Sequence, residues 1–291
     1  MIVLFINSNL KPMKILQFVI FILFSISLNA NNTYWHNSFD EAQKLALAIN
    51  KPIIIDFWAE WCRPCLKMDS DTWSKKEIQN ELLNFIPLKI NITNEKAFAS
   101  QYSVKLIPNI IIIDPFGEII NQYEGYKDGQ EMLKILKENT VDLQFLQDDF
   151  ISFFKEKDGD TALEIAKKYF DLSLLANENI KRDFISLANT YLTKAKKLYK
   201  GSGDRYKNKQ TINIYSDSYT QLLQKKYEKA VDKLNKVIGN DSVPEENKLI
   251  YTFINFVCYS KMGDREKAEL WYTKLKSFDN FQIYILKSRK M

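Results

Sequence analysis

The chain has 291 residues, 46% of them hydrophobic and 26% charged, a balance of packed globular protein rather than of a disordered segment. Less a targeting segment, that length suffices for two hydrophobic cores. The net charge of +5 is modest, and the lysines are interspersed with Glu and Asp along helical stretches, which argues against a nucleic-acid stripe. Three cysteines and one histidine, scattered over distant segments, make neither a four-ligand zinc site nor a His-dependent triad, so no metal and no other cofactor is expected.

The amino terminus has a short basic start at Met13-Lys14, then the apolar stretch Ile15 to Leu28 and the small residue Ala30. The stretch is shorter than the roughly 20 residues a membrane span needs. It reads as a secretory signal over residues 1–30, cut near Ala30, with an uncleaved anchor as the alternative. Leu28 is not the small residue usual three before a cut, so the site could shift. No cysteine stands at a lipid-attachment position. Export, to the periplasm, would put the cysteines where disulfides form and persist.

Beyond it, Ser38-Phe39-Asp40-Glu41 has a capping-box pattern, and Phe39, Ala42, Leu45, Ala46 and Ile49 space one helix that Lys51-Pro52 ends. Ile53 to Trp58 is nearly continuous apolar sequence, as in a strand covered on both faces. A helix follows from about Pro64, with Ser74 as cap for a second piece from Lys75 to Leu83. A strand at Ile86 to Ile92, a helix near Glu95 to Tyr102, a hairpin from Asn109 to Tyr123 and a helix from about Gly129 to Asn139 complete a mixed sheet with helices on both faces. From Val141 strand signals disappear, and Gly159, Gly201-Ser202-Gly203, Gly239 and Gly263 punctuate amphipathic stretches. Tyr227-Glu228-Lys229-Ala230 and Arg265-Glu266-Lys267-Ala268 recur after polar turns, and Gly159-Asp160-Thr161-Ala162 is a weaker third copy. These resemble tetratricopeptide repeats, although Ala230 and Ala268 are spaced more widely than the usual period. The expected organisation is therefore an α/β domain over 31–140 and an all-α domain over 141–291, either a repeat array or a bundle.

The chemistry lies in Trp61-Cys62-Arg63-Pro64-Cys65, set where the buried strand hands over to a helix. This spacing puts two sulfurs on one helical turn, within reach of a disulfide. First-turn amides and the helix dipole favour the thiolate of Cys62, and Arg63 adds a nearby cation. Cys62 is thus expected as an exposed nucleophile and Cys65 as the shielded resolving thiol. A c-type haem site would need His where Leu66 stands. A purely structural disulfide would leave Trp61 and Pro64 without purpose. Asp56, a carboxylate in an apolar strand, is costly to bury unpaired, so its pKa should rise, unless it caps a turn or faces solvent at the strand end. Cys258 lies in an apolar run and reads as a small buried hydrophobe, and Trp58 as a core aromatic.

With its flanks, Asp56-Phe57-Trp58-Ala59-Glu60-Trp61-Cys62-Arg63-Pro64-Cys65 resembles the active-site segment of thioredoxins. Ile107-Pro108-Asn109 resembles the family's cis-proline loop, and Gly125 a family glycine. Asp71-Thr72-Trp73-Ser74 with Asn91-Ile92-Thr93 is more like the reductase domains of periplasmic thiol:disulfide interchange proteins. The likeness covers roughly Tyr34 to Thr140. It departs at Arg63, Leu66 and Asn109, where the family often has Gly, Lys and Thr, which leaves substrate and redox potential open.

The resemblance implies a thioredoxin-like fold and thiol–disulfide exchange. It implies that Asp56, accompanied by Lys89, removes the proton of Cys65, and that a cis Pro108 lets the Ile107 backbone pair with an extended substrate segment. Trp61 and Tyr126 would form an apolar apron, with Arg63 and Pro64 beside the substrate. The implied function is an exported oxidoreductase that reduces or isomerises disulfides of client proteins and draws on an electron-donor thiol protein. The alternative is a non-enzymatic adaptor or chaperone whose helical half binds a peptide or protein.

Overall fold

The computed structural model describes residues 33–176, 178–199, 205–239 and 243–291. The expected export segment and the Gly201-Ser202-Gly203 break lie outside them. In the first half, α1 (Phe39–Ile49), β1 (Ile53–Trp58), α2 (Arg63–Met68), α3 (Lys76–Leu82), β2 (Ile86–Asn91), α4 (Lys96–Gln101), β3 (Asn109–Ile113), β4 (Ile119–Glu124) and α5 (Gly129–Asn139) follow one another. They build a four-stranded sheet in the order β2-β1-β3-β4. β1 and β2 are parallel, β1 and β3 antiparallel, and β3 and β4 form the hairpin.

The alternation of β1 explains its two cores. Ile53, Ile55 and Phe57 pack with Ala42 and Ala46 of α1 and Ala99 of α4 on one face. Ile54 on the other face joins Met68, Ile78, Leu82, Met132 and Leu136 from α2, α3 and α5. Asp56 shares that second face. The helix starts are set by side chains. Ser38 accepts the amide of Glu41, and Asp128 with Glu131 makes a reciprocal capping box at α5.

Ser74 departs from its expected part. The chain after α2 winds through a π turn, Asp69–Trp73, so Lys75 takes the cap position of α3 without a side-chain bond. The Ser74 hydroxyl instead donates back to the Ser70 carbonyl.

After residue 140 the described residues are helical: α6 (Gln147–Lys155), α7 (Gly159–Leu175), α8 (Glu178–Leu198), α9 (Arg205–Asn213) leading into a π turn (Ile214–Tyr219), α10 (Thr220–Leu223), α11 (Tyr227–Ile238), α12 (Glu245–Met262), α13 (Arg265–Leu275) and α14 (Phe281–Ser288). The three motif copies each open a helix, at α7, α11 and α13. Ala162 and Ala230 are fully buried whereas Ala268 is half-buried, so the copies are not equivalent in packing.

The core of the second sheet face continues without a break into this region through Phe150, Tyr169, Phe184 and Tyr191. The junction is the tip of the β3–β4 hairpin. Asp114 is fully buried there and accepts the hydroxyls of Tyr191 at 2.6 Å and Tyr169 at 3.1 Å, together with the amides of Phe116 and Glu118. Phe116 meets Phe150 and Phe153 edge-on, and Lys194 pairs with Glu118 at 2.6 Å. Gly117 turns the tip at φ +82°, where a side chain would be strained. Among the described residues no helix is long and apolar enough to cross a membrane.

Candidate active site

β1 ends at Trp58, and the chain reaches α2 through Ala59 to Trp61, with Cys62 as the N-cap. Cys62 and Cys65 are joined as a disulfide, their Cα atoms 5.3 Å apart. The amide of Cys65 donates to Cys62 Sγ at 3.2 Å, a helix-start hydrogen bond of the kind that stabilises sulfur charge. Pro64 fits the first turn because no amide is needed there.

The expected exposure of Cys62 is not met. It is 4% exposed and Cys65 3%. In the disulfide form the first sulfur is tucked against the first turn of α2, and Ala59, Trp58, Ile92 and Ile107 pack around the pair. Exposure belongs instead to its neighbours: Trp61, at 68%, with Arg63, Pro64 and Leu66.

The Ile107–Pro108 peptide bond is cis, and Ile107 is in the disulfide's packing shell. The Gly125 amide donates to the Pro108 carbonyl at 2.8 Å, tying the loop to the end of β4. Tyr126, next along, is half-buried, with the Lys67 ammonium 5.0 Å from its ring centre. Trp61 and Tyr126 therefore differ, one open to solvent and the other covered by a lysine of α2.

Behind the disulfide lies a charged cluster built by register. Asp56 on β1 faces Lys89 on β2, so their side chains share one side of the sheet. Asp56 is 2% exposed. Its Oδ2 accepts the indole N–H of Trp73 at 3.1 Å and lies 3.9 Å from Lys89 Nζ, while Oδ1 is buried without a hydrogen-bond partner. Burial pushes the carboxyl up to about 7; Lys89 and the Trp73 bond oppose this, and Asp69 reinforces it.

Lys89 is bonded to Asp69 and sits over the Trp58 ring at 5.0 Å and the Trp35 ring at 5.9 Å. Trp58 is accordingly half-buried between the disulfide and this lysine rather than a core aromatic. Sequence reasoning missed Asp69 and Trp35, and gave Trp73 no part in the cluster. Asp69 had a signal, since it follows Cys65 by four residues on a helical path and so shares its face. Trp35 lies before the sheet and reaches the cluster only through packing against Trp73, at 5.0 Å between ring centres.

His36 makes a backbone bridge to β2, its amide donating to Pro87 and its carbonyl accepting from Lys89. Cys258 is fully buried in α12, and burial pushes its thiol up to about 12, the inert behaviour expected of a packed cysteine. Among the described residues no cluster of His, Cys, Asp and Glu has the make-up of a metal site.

The arrangement holds a closed disulfide beside a cis-proline loop, with an ionisable carboxyl on the preceding strand. Residues 39–140 match the family model described as a thioredoxin-like domain. The chain is 30% identical to a thioredoxin of Chlamydia caviae, over 30% of this chain and 82% of that protein. It is 32% identical to a thioredoxin of Chlamydia trachomatis, over 30% and 81%. It is 29% identical to the thiol:disulfide interchange protein DsbD of Photorhabdus laumondii, over 27% of this chain but only 15% of that protein. Among solved structures it is similar to the oxidised C-terminal domain of Neisseria meningitidis DsbD, with a TM-score of 0.32 at 20% identity, over 36% of this chain and 99% of that one.

Proposed function

From the premise that this chain belongs to the thioredoxin-like family and is a protein disulfide oxidoreductase, we propose that it works outside the cytoplasm, in the reducing or isomerising direction, through a mixed disulfide. The observation that carries the reading is the Cys62–Cys65 disulfide closed across the first turn of α2, beside Ile107 of the cis-proline loop. In the reduced enzyme the Cys62 thiolate attacks one sulfur of a client disulfide, and the client's other sulfur leaves as a thiolate. Cys65 then loses its proton, and its sulfur attacks Cys62. The client sulfur leaves with the bonding pair and takes up a proton, and the enzyme ends as the disulfide. An electron-donor dithiol protein returns it to the reduced state.

Asp56 is proposed as the acceptor of the Cys65 proton, with Lys89 holding its charge in check. Its carboxyl, pushed up to about 7, changes protonation near neutral pH, as such a role requires. Ile107 and Pro108 would hold an extended client segment and Trp61 would cover it, with Arg63, Pro64 and Tyr126 at its margin. Export rests on the amino-terminal sequence pattern. The division at residues 140/141 and a repeat array in the second half are likewise proposals.

Insulin reduction separates this reading from a binding adaptor. Wild type should turn over in the presence of a dithiol donor, and Cys62→Ser should abolish it. Cys65→Ser should abolish turnover yet accumulate client proteins as mixed disulfides on Cys62. Turnover surviving in Cys62→Ser, or absent in wild type, would sink the reading.

A further inference from the structure

Far along the chain from the disulfide, the helical half encloses a cavity of about 350 Å³, within the range of small-ligand sites. Its walls are α7, the π turn that follows α9, the first turns of α12, and α14. Three tyrosines face it. Tyr215 and Tyr219 are 9% and 2% exposed, Tyr284 is half-buried, and all three border the cavity. No hydroxyl of the three hydrogen-bonds to another described residue, and none is sealed from the cavity's solvent. Hydroxyls that reach a cavity and have no acceptor among the described residues are free to donate to a ligand there, and π turns of this kind recur at functional sites.

The charges around the tyrosines are already matched. Lys167 pairs with Glu164 at 2.6 Å, Lys287 with Asp171 at 2.7 Å, and Lys168 with Asp149 at 2.5 Å. What the protein leaves available in the cavity is therefore hydrogen-bond donation. Burial and nearby acids push the tyrosines' pKa up, so all three stay protonated donors at neutral pH. The fitting ligand is an acceptor with at most one negative charge, because Glu164, Asp171 and Glu246 in the lining would repel a dianion.

We propose that this cavity binds a monocarboxylate, either the free end of a peptide or a small acid, whose oxygens accept from the hydroxyls of Tyr215, Tyr219 and Tyr284, with Lys287 at its edge. This assignment does not depend on the redox reading. The full chain would be titrated calorimetrically with N-acetyl-trialanine as the free acid, with its carboxamide, with acetate and with inorganic phosphate. The free acid should bind at least tenfold more tightly than the carboxamide, and phosphate more weakly than the better of the two carboxylates. Acetate binding as well as the tripeptide would identify a small acid as the ligand, whereas binding of the tripeptide acid alone would identify a peptide end.

Tyr219→Phe and Tyr215→Phe should each weaken carboxylate binding about tenfold, as for a hydrogen bond to a charged group. Their thermal midpoints should hold or rise and their insulin reduction stay unchanged, because only an unpaired hydroxyl is lost. The proposal is overturned if no carboxylate binds at millimolar concentration, if acid and carboxamide bind equally, or if the Phe variants keep full affinity. A fall in midpoint would assign the hydroxyls to packing and overturn it too.

Discussion

Asp56 illustrates how one carboxyl is tuned by its surroundings. Burial raises its pKa, Asp69 adds to the rise, and the ammonium of Lys89 and the indole N–H of Trp73 oppose it, leaving the carboxyl at about 7. The folded chain therefore keeps a proton that the unfolded chain releases near pH 4. The associated stability is fully present below about pH 4 and is lost as pH rises from there to about 7. Asp56→Asn cannot ionise, so it should unfold in urea at a higher midpoint than wild type at pH 8, by on the order of 3 kcal/mol, and by far less at pH 4. The same variant should release trapped clients slowly, without the rise in rate through neutral pH expected of wild type. Equal pH dependence in both proteins would remove Asp56 from the proton path. Cys62, Cys65 and Asp56 stood out from local patterns in the sequence, whereas Lys89 and the cis bond at Pro108 came from the family resemblance. Asp69, Trp35 and the cluster role of Trp73 were not legible, because only tertiary packing brings them to Lys89.

Helix starts show where sequence patterns succeed and fail at the scale of elements. Ser38 accepts the Glu41 amide as its spacing suggests, while the full reciprocal box of Asp128 and Glu131 was not singled out in the sequence. Asp128→Ala should lower stability by about 1 kcal/mol in chemical denaturation. Ser74→Ala should change it by less than about 0.5 kcal/mol, since that hydroxyl only returns to Ser70 and caps nothing. A cost for Ser74 as large as for Asp128 would contradict the assigned geometry. The π turn behind this difference covers only five residues, three of them polar or acidic before Thr72 and Trp73, too short a stretch for composition or periodicity to reveal it. The strands were readable almost to the residue because proline, glycine and polar turns bound each apolar run. The helical half was readable as helix, and its three motif copies differ in packing, since Ala268 lacks the burial that Ala230 and Ala162 share.

At the scale of the molecule, the two halves are joined by a carboxylate rather than by apolar contact alone. Asp114 accepts four hydrogen bonds, two of them from tyrosines of α7 and α8. Tyr191→Phe would leave a buried acidic oxygen short of its nearest donor and should cost about 1.5–3 kcal/mol. Unfolding followed by circular dichroism, which reports mainly on helices, should coincide in wild type with unfolding followed by tryptophan fluorescence. Of the five tryptophans, Trp35, Trp58, Trp61 and Trp73 belong to the sheet half. Two separate transitions in wild type, or an unchanged midpoint in Tyr191→Phe, would mean that the halves are independent.

The strand β3 carries the cis-proline loop at its head and Asp114 just past its foot. A chain cut after Thr140 would keep every residue proposed for thiol chemistry, yet strand an acid in a bare apolar scar around Phe116. Anyone wishing to graft this catalyst onto another scaffold should carry α6 through α8 along as ballast.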